Sequence, residues 1–159
     1  MEPTAKILCV SPDPLLLQTR RWILEGYFQV DCADRLQEAA AMIESQNYDL
    51  ILLCYSLRAE ECRQVHDLVR VRAPRTQILA LTEGSNGCAE AYSDLQMPVG
   101  QGPYALLKMV VEMIAPLLAI QIGKKARRNV SHSGVEKKLP PGFVRNEAES
   151  VPLRRVKLF

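Results

Sequence analysis

The side chains that could do chemistry in this 159-residue chain include five cysteines and two histidines. No two cysteines form a C-x-x-C pair, and neither His66 nor His132 forms a credible triad with a serine or cysteine. Cys62 and His66 are four residues apart, which can suit a metal on one helix face, but no second pair of ligands is visible. We therefore predict that the protein is not an enzyme and holds no metal.

Cys54 stands at the end of an apolar run and has two interpretations. A partly exposed thiol at a strand end would suit a redox sensor. A buried, inert cysteine is the favoured alternative, because free cysteines are usually buried and no Lys, Arg or His adjoins Cys54 to lower its pKa. The odd number of cysteines and the absence of a signal peptide in MEPTAKILCV predict reduced thiols in a cytoplasmic protein.

Charge divides the chain into two parts. Residues 1–122 contain 10 Lys or Arg and 15 Asp or Glu, a net charge of −5. Residues 123–159 contain 10 Lys or Arg and 3 Asp or Glu, a net charge of +7. We predict one folded domain over residues 1–122 and a basic, flexible extension over residues 123–159.

Five apolar runs alternate with amphipathic segments along the first part. The predicted strands are KILCV (6–10), FQVDC (28–32), LILLC (50–54), TQILALT (76–82) and the weak DLQM (94–97). The predicted helices begin at Pro14, Arg35, Ala59 and Pro103, with a very short helical piece near residues 88–92. Asp13 is the expected N-cap of the first helix, followed by a proline at the first helical position.

Strands that alternate with helices through short connections predict an α/β fold. We expect a doubly wound, five-stranded parallel sheet of flavodoxin-like order 2-1-3-4-5, with helices on both faces. Ligands of such sheets bind at the carboxyl ends of the strands. The residues expected at that edge are Ser11, Pro12, Asp13, Cys54, Thr82 and Met97.

The order and spacing of four segments resemble the receiver domain of bacterial response regulators over roughly residues 5–116. The segments are ILCVSPDP, YDLILLCYSL, ILALT and the pair Met97-Pro98. The resemblance implies a site with two adjacent acids that hold Mg²⁺, an Asp that accepts a phosphoryl group, a Thr or Ser, and a Lys.

The acidic part of that site is altered in this sequence. The acid pair of the family falls on Ser11 and Pro12, and Asp13 lies one step further on, where the family often has a third acid that points into the helix cap. Mg²⁺ requires hard oxygen ligands in an octahedral array. The resemblance therefore implies that the Mg²⁺ binding of the family is lost, and we predict no cofactor.

The other family positions are altered as well, except one. Cys54 stands at the phosphoacceptor position and Met97 at the Lys position, whereas Thr82 is retained. A thiol lacks the second oxygen that would bind Mg²⁺, and Met supplies no cation. The three losses agree with one another and predict a degenerate pseudo-receiver with a vestigial phosphoacceptor pocket.

The segment from Thr82 to Met97 is shorter than the family usually allows. We therefore expect the fourth helix to be trimmed or replaced by a loop. In the family, the face that includes this helix commonly carries dimerisation and output.

The final predicted helix, over residues 103–122, has two neighbouring apolar stripes. The stripe expected to pack on the sheet comprises Leu106, Val110, Ile114 and Leu117. The stripe expected to face outward, as an interaction face for a homodimer, comprises Leu107, Val111, Leu118 and Ile122. The same segment is long enough for a membrane span, but Lys108 and Glu112 near its centre disfavour one.

These observations favour a stand-alone receiver-like module of a bacterial two-component system that acts by protein contact, without phosphorylation. Its partner, a histidine kinase or another regulator, is not identified by the sequence. One alternative is a regulator that contacts nucleic acid through the basic extension, which could equally touch acidic lipid or an acidic partner. Another is a receiver that accepts phosphate on an unusual residue.

Overall fold

The computed structural model describes residues 4–84 and 90–130 of the chain. The elements in chain order are β1 (Lys6–Val10), α1 (Pro14–Leu24), β2 (Gln29–Ala33), α2 (Leu36–Ser45), β3 (Leu50–Leu53), α3 (Ala59–Arg72), β4 (Gln77–Thr82), a 3-10 helix (Glu90–Tyr92), β5 (Leu95–Pro98) and α4 (Pro103–Val130). The alternation of strands and helices agrees with the prediction.

All five strands form one parallel sheet of order β2-β1-β3-β4-β5. This confirms the predicted doubly wound fold. Every residue of β3 is buried, because the strand lies in the middle of the sheet and helices cover both of its faces. A central parallel strand of this kind reads as an unbroken apolar run, which is how LILL appears in the sequence.

Successive residues of each strand enter two separate cores. Leu50 and Leu52 of β3 pack in a cluster with residues of α1 and α4, whereas Ile51 and Leu53 pack in a cluster with residues of α2 and α3. The period of two in the side-chain direction therefore divides the apolar strands between the two layers of helices.

The connection from β4 to β5 is short, as the sequence predicts. The part of it that the structure describes contains one helical turn, the 3-10 helix Glu90–Tyr92. The Tyr92 ring packs against the α2/α3 core, with its centroid 5.8 Å from that of the His66 ring on α3. One aromatic side chain thus covers part of the surface that a full helix would otherwise cover.

An acidic residue fixes the outer edge of the sheet. Asp94 Oδ2 accepts a hydrogen bond of 2.8 Å from the Ile78 N–H, and both of its carboxylate oxygens accept from Arg70 Nη2, at 2.7 and 2.6 Å. Arg70 also donates to the Thr76 carbonyl at 3.0 Å. These bonds tie α3, β4 and the start of β5 together, since charge-assisted pairs of this kind are directional.

The final helix is longer than predicted. It continues to Val130 instead of ending near residue 122, so residues 123–130 of the predicted basic extension are helical. At about 1.5 Å per residue, its 28 residues span about 42 Å. The rest of the predicted extension, residues 131–159, lies outside the described residues.

The first half of α4 packs on the sheet in the predicted orientation. Leu106, Val110 and Ile114 are buried in the core with α1, and Leu117 is partly buried. In the described part of the chain, the segment Pro103–Lys125 is the one helix whose length and apolar composition would allow it to cross a membrane. The buried stripe of this helix packs on the sheet. A helix that covers a sheet can have the same length and apolar composition as a helix that crosses a membrane.

Candidate functional site at the carboxyl edge of the sheet

The first predicted site residue, Ser11, directly follows β1 and is fully buried. Its N–H donates to the Ala33 carbonyl at 3.1 Å, which extends the pairing of β1 with β2 by one residue. Its hydroxyl lies 2.9 Å from the Ser56 hydroxyl and accepts a hydrogen bond from the Asp13 N–H at 3.1 Å. Ser11 thus joins the loops that follow β1 and β3. Pro12, beside it, is exposed.

The carboxylate of Asp13 is committed to the start of α1. Asp13 Oδ1 accepts hydrogen bonds from the N–H groups of Leu15 and Leu16, at 2.9 and 3.4 Å. This is the N-cap geometry that the sequence predicts, with Pro14 in the first turn. One of its oxygens therefore satisfies free amides of the helix instead of facing the neighbouring strand ends.

Cys54 lies at the end of β3 and is buried, with 2% of its surface exposed. Its N–H donates to the Val10 carbonyl at 3.1 Å, and its own carbonyl accepts from Leu57 N–H at 3.1 Å. Burial raises the pKa of the Cys54 thiol to about 11, although Arg20 and Ser11 act in the opposite direction. The thiol is therefore neutral at physiological pH, which is typical of an unreactive core cysteine.

Arg20 is a site residue that the sequence analysis missed. It lies three residues after Leu17 and four before Leu24, both of which are buried, so it faces the same side of α1. Its guanidinium hydrogen-bonds the Cys54 sulfur, and its Nε is buried without a partner among the described residues. The helical spacing could have identified Arg20 as a cation directed toward the sheet.

The predicted residues at the ends of β3, β4 and β5 line two separate cavities at this edge of the sheet. Cys54 and Thr82 line a cavity of about 300 Å³ between β3, β4 and the start of α3, with Tyr55, Arg58 and Glu83 also in its wall. Thr82 is also fixed through its carbonyl, which accepts a hydrogen bond of 2.8 Å from the N–H of residue 99.

Met97 faces a different cavity. It is buried in the core with α1 and α4, and it lines a space of about 510 Å³ together with Arg20 and Trp22. The loop from β5 to α4, residues 99–102, forms another wall of this space. Its lining is mainly apolar, with Arg20 as its one charged side chain. The six predicted residues thus lie at one edge of the sheet, but they do not share one pocket.

No group of three or more His, Cys, Asp or Glu side chains that could hold a metal occurs within residues 4–84 and 90–130. Cys62 is buried in the α2/α3 core, whereas His66 contacts Tyr92 and lies 3.1 Å from Asp67.

The predicted interaction face on α4 is exposed only in part. Val111 and Ile122 are exposed, at 45% and 58% of their surface. Leu107 and Leu118 are instead partly buried against the α1/α4 core. Ile120 is also exposed, at 53% of its surface, but it lies about half a turn around α4 from Val111 and faces a different side.

No family model matches the chain, and no curated protein matches it. Solved structures do match, and they have the architecture described above. Chemotaxis protein CheY4 of Vibrio cholerae matches with a TM-score of 0.60 and 22% identity, over 69% of this chain and 98% of its own. A CheY-like response regulator receiver domain from Methanospirillum hungatei matches with a TM-score of 0.60 and 24% identity, over 76% and 98%.

A third match carries a metal. The receiver domain of the sensor histidine kinase PA1611 from Pseudomonas aeruginosa has a magnesium ion coordinated in its active-site cleft. It matches with a TM-score of 0.63 and 20% identity, over 70% of this chain and 98% of its own. At this level of identity, the three likenesses show that the chain has the fold of a receiver domain.

Proposed function

We propose that this chain with a receiver fold is a cytoplasmic signalling module of a bacterial two-component phosphorelay. It acts through protein contact, without catalysis and without being phosphorylated. The single observation that carries the proposal is the set of side chains at the carboxyl edge of the sheet. A receiver needs metal ligands, a phosphoryl acceptor and a cation at these positions. In this chain, the side chains at the same positions pack in the core or cap a helix.

The metal-binding groups do not suit Mg²⁺. The ion takes several oxygen ligands in near-octahedral geometry and is usually held by one or two carboxylates. Ser11 offers a hydroxyl that is already bonded to Ser56, Pro12 offers no side-chain donor, and Asp13 caps α1. With the cap intact, Asp13 leaves at most one carboxylate oxygen, Oδ2, for an ion. The residues at this edge therefore do not fit the octahedral oxygen shell of Mg²⁺.

The residues at the acceptor and cation positions are also unsuitable for phosphorylation. The Cys54 sulfur is buried and carries its proton, because its pKa is raised to about 11. Met97 is uncharged and packed in the core with α4. Arg20 supplies a positive charge near the Cys54 sulfur, but it stands on α1 and not at the end of β5, where a receiver has its Lys.

Acetyl phosphate with Mg²⁺ tests this proposal directly. We expect the intact mass to stay unchanged, while a functional receiver domain treated in parallel gains about 80 Da, the mass of one phosphoryl group. A stoichiometric gain of that size on the wild-type chain would overturn the proposal. Labelling of a minor fraction after long incubation would not overturn it, provided that the denatured chain is labelled to the same extent.

The variant Cys54→Asp is the matched control for the acceptor position. We expect it to remain unlabelled, because a carboxylate at position 54 still lacks the acid pair that binds Mg²⁺. Labelling of this variant together with an unlabelled wild type would mean that the metal ligands are intact and only the acceptor has changed.

The partner is proposed to be a histidine kinase or another regulator, or a second copy of the chain. The exposed apolar residues of α4 support contact through this helix. Val111 and Ile122 belong to the face predicted from the sequence, and both are exposed. Contiguous apolar patches larger than a few hundred Å² are unusual on monomers and mark interaction sites.

A second candidate function is contact with nucleic acid. It is favoured by one specific observation: Lys124, Lys125 and Arg127 are exposed on the last turns of α4, directly before the rest of the basic segment. Phosphate contacts of this kind release counterions, so the affinity falls as salt rises.

Fluorescence anisotropy with a generic DNA duplex tests the second candidate. Binding that weakens about tenfold or more between 50 and 200 mM salt, and that is lost in Lys124→Glu with Lys125→Glu, would support it. A change of the two neighbouring acids on α3, Glu60→Gln with Glu61→Gln, is a control that should leave DNA binding as it is. No binding at 50 mM salt would eliminate this candidate.

A further inference from the structure

Two cysteines of the α1/α4 face are direct neighbours across the sheet. Cys9 of β1 and Cys32 of β2 are register partners in a parallel pair of strands. Neighbouring strands are about 4.8 Å apart, and residues in register point to the same face. A Cα separation of this size lies within the range of about 4.4–6.8 Å over which disulfides form. Both thiols are free in the structure.

The two thiols differ in their access to solvent. Cys9 is fully buried in the core with α1 and α4. Cys32 is half-buried and lines a surface cavity of about 430 Å³, whose walls include Arg21, Trp22 and Glu25 of α1. A small oxidant can therefore reach Cys32 through this cavity, while Cys9 is shielded from solvent.

The surroundings favour Cys32 as the first sulfur to react. The interaction of the two thiols lowers the pKa of Cys32 and raises that of Cys9 well above its ordinary value. The Cys32 thiol also lies 3.9 Å from the Leu17 carbonyl, to which it donates. Arg21 also lowers the pKa of Cys32, whereas partial burial, Asp31 and Glu25 oppose the shift. The thiolate is the reactive form of cysteine, so the more exposed sulfur is also the one with the larger thiolate fraction.

We propose that Cys9 and Cys32 form an oxidation site that converts to an intramolecular disulfide on reaction with a hydroperoxide. The site is independent of the signalling role proposed above. It goes beyond a single reactive cysteine, because the strand register supplies a second thiol at bonding range and the cavity supplies a route to the first.

The reaction has two steps. The Cys32 thiolate attacks one peroxide oxygen, the O–O bond breaks, and the other oxygen leaves as an alcohol or, from hydrogen peroxide, as water, after taking a proton. Cys32 is then a sulfenic acid. The Cys9 sulfur attacks the Cys32 sulfur, the S–O bond breaks, and the hydroxyl leaves as water with the Cys9 proton. Two thiols are oxidised by two electrons, and one hydroperoxide is reduced.

Cys54 is excluded as the second thiol by its position. Cys32 is in register with Cys9, and Cys9 with Leu52, so Cys54 lies two strands away from Cys32 and two residues further along. Two strand spacings of about 4.8 Å and an offset of about 6.6 Å separate the Cα atoms of Cys32 and Cys54 by about 12 Å. Disulfides do not form across more than about 7 Å without movement of the backbone.

Peptide mapping after mild treatment with hydrogen peroxide tests the proposal on the wild-type chain. Trypsin separates the five cysteines onto five different peptides, with Cys9 in residues 7–20 and Cys32 in residues 22–35. We expect these two peptides to appear joined, two fewer thiols to react with maleimide after unfolding, and both effects to reverse with dithiothreitol. The chain should remain free of intermolecular cross-links on a non-reducing gel.

Variants then assign the roles of the two sulfurs. Cys32→Ser should abolish the joined peptide, Cys9→Ala should let dimedone trap a sulfenic acid on Cys32, and Cys62→Ala is a control that should form the disulfide as the wild type does. If Cys9→Ala fails to fold, the wild-type peptide map still decides. A disulfide from Cys32 to any other cysteine, sulfinic acid at Cys32 without a disulfide, or no oxidation of Cys32 would each overturn the proposal.

Discussion

Single side chains at the carboxyl edge of the sheet show that the role of a chemical group depends on its surroundings. The Asp13 carboxylate is a typical metal ligand by its chemistry, yet here it accepts two amide hydrogen bonds at the start of α1. The Cys54 thiol is a nucleophile by its chemistry, yet burial raises its pKa to about 11. Residue type therefore limits what a position can do, and the neighbours decide what it does.

Tyr48 provides a pH-dependent prediction at the opposite edge of the sheet. Burial, followed by the hydrogen bond of 2.8 Å from its hydroxyl to Asp31, raises the pKa of Tyr48 above its ordinary value. The folded state therefore keeps a proton that the unfolded chain releases above about pH 10. The stabilisation is complete below that pH and declines as pH rises beyond it.

We expect Tyr48→Phe to lower the free energy of unfolding by about 1 kcal/mol at pH 7 and to flatten the decline above about pH 10. Urea unfolding at a series of pH values measures both effects. Tyr104→Phe is the control, since Tyr104 is 77% exposed and should change neither. A decline in Tyr48→Phe as steep as that of the wild type would assign the pH dependence to another group.

Among the secondary-structure elements, α1 depends on its cap. Removing the side-chain acceptor in Asp13→Ala should cost about 1 kcal/mol of stability, because two amides of the first turn lose their partner. Asp13→Asn should keep most of that stability, since Asn caps helices about as well as Asp. Thermal unfolding with and without Mg²⁺ measures this, and a Mg²⁺-dependent rise in Tm for the wild type alone would instead identify Asp13 as a metal ligand.

The outer strand pair depends on Asp94 in a similar way. Asp94→Ala should cost about 1–3 kcal/mol, because the Ile78 N–H loses its acceptor and Arg70 loses its carboxylate. The control is Glu60→Ala on the exposed face of α3, where water screens the pair with Arg63 and its loss should have little effect on stability. Equal losses in the two variants, measured by urea unfolding, would show that the Asp94 network adds nothing beyond a surface ion pair.

For the molecule as a whole, the exposed part of α4 predicts self-association. Size-exclusion chromatography with light scattering should give a mass of about 36 kDa at micromolar concentration, twice the chain mass of 17.8 kDa, as a two-fold dimer requires. Val111→Glu with Ile122→Glu should return a folded monomer, since both side chains are exposed.

The choice of residues matters for this test. Leu107 and Leu118 pack partly against the core, so a charge at either position would destabilise the domain and confuse dissociation with unfolding. Lys108→Gln with Glu112→Gln is a control that alters exposed residues of the same helix and should leave the dimer intact. A wild-type chain that stays monomeric at about 100 µM would contradict the prediction, since stable dimers form well below that concentration.

The sequence alone determined the elements and their order. Apolar runs, a proline after Asp13 and the period of each helix are local features, and local features are sufficient to predict α1, β3 and the buried stripe of α4. The doubly wound order followed from the alternation of strands and helices, because short connections leave few arrangements of a parallel sheet.

Only the tertiary structure decided which distant residues meet. Cys9 and Cys32 are 23 positions apart, and their pairing depends on the register of β1 with β2, where a shift of one residue would turn one sulfur to the opposite face. The contact of Arg20 with Cys54 likewise requires α1 to lie over the sheet at one rotation. The outward face of α4 was predicted only in part for the same reason. The sequence does not distinguish an apolar helix residue that packs on the core, such as Leu118, from one that faces water, such as Ile122.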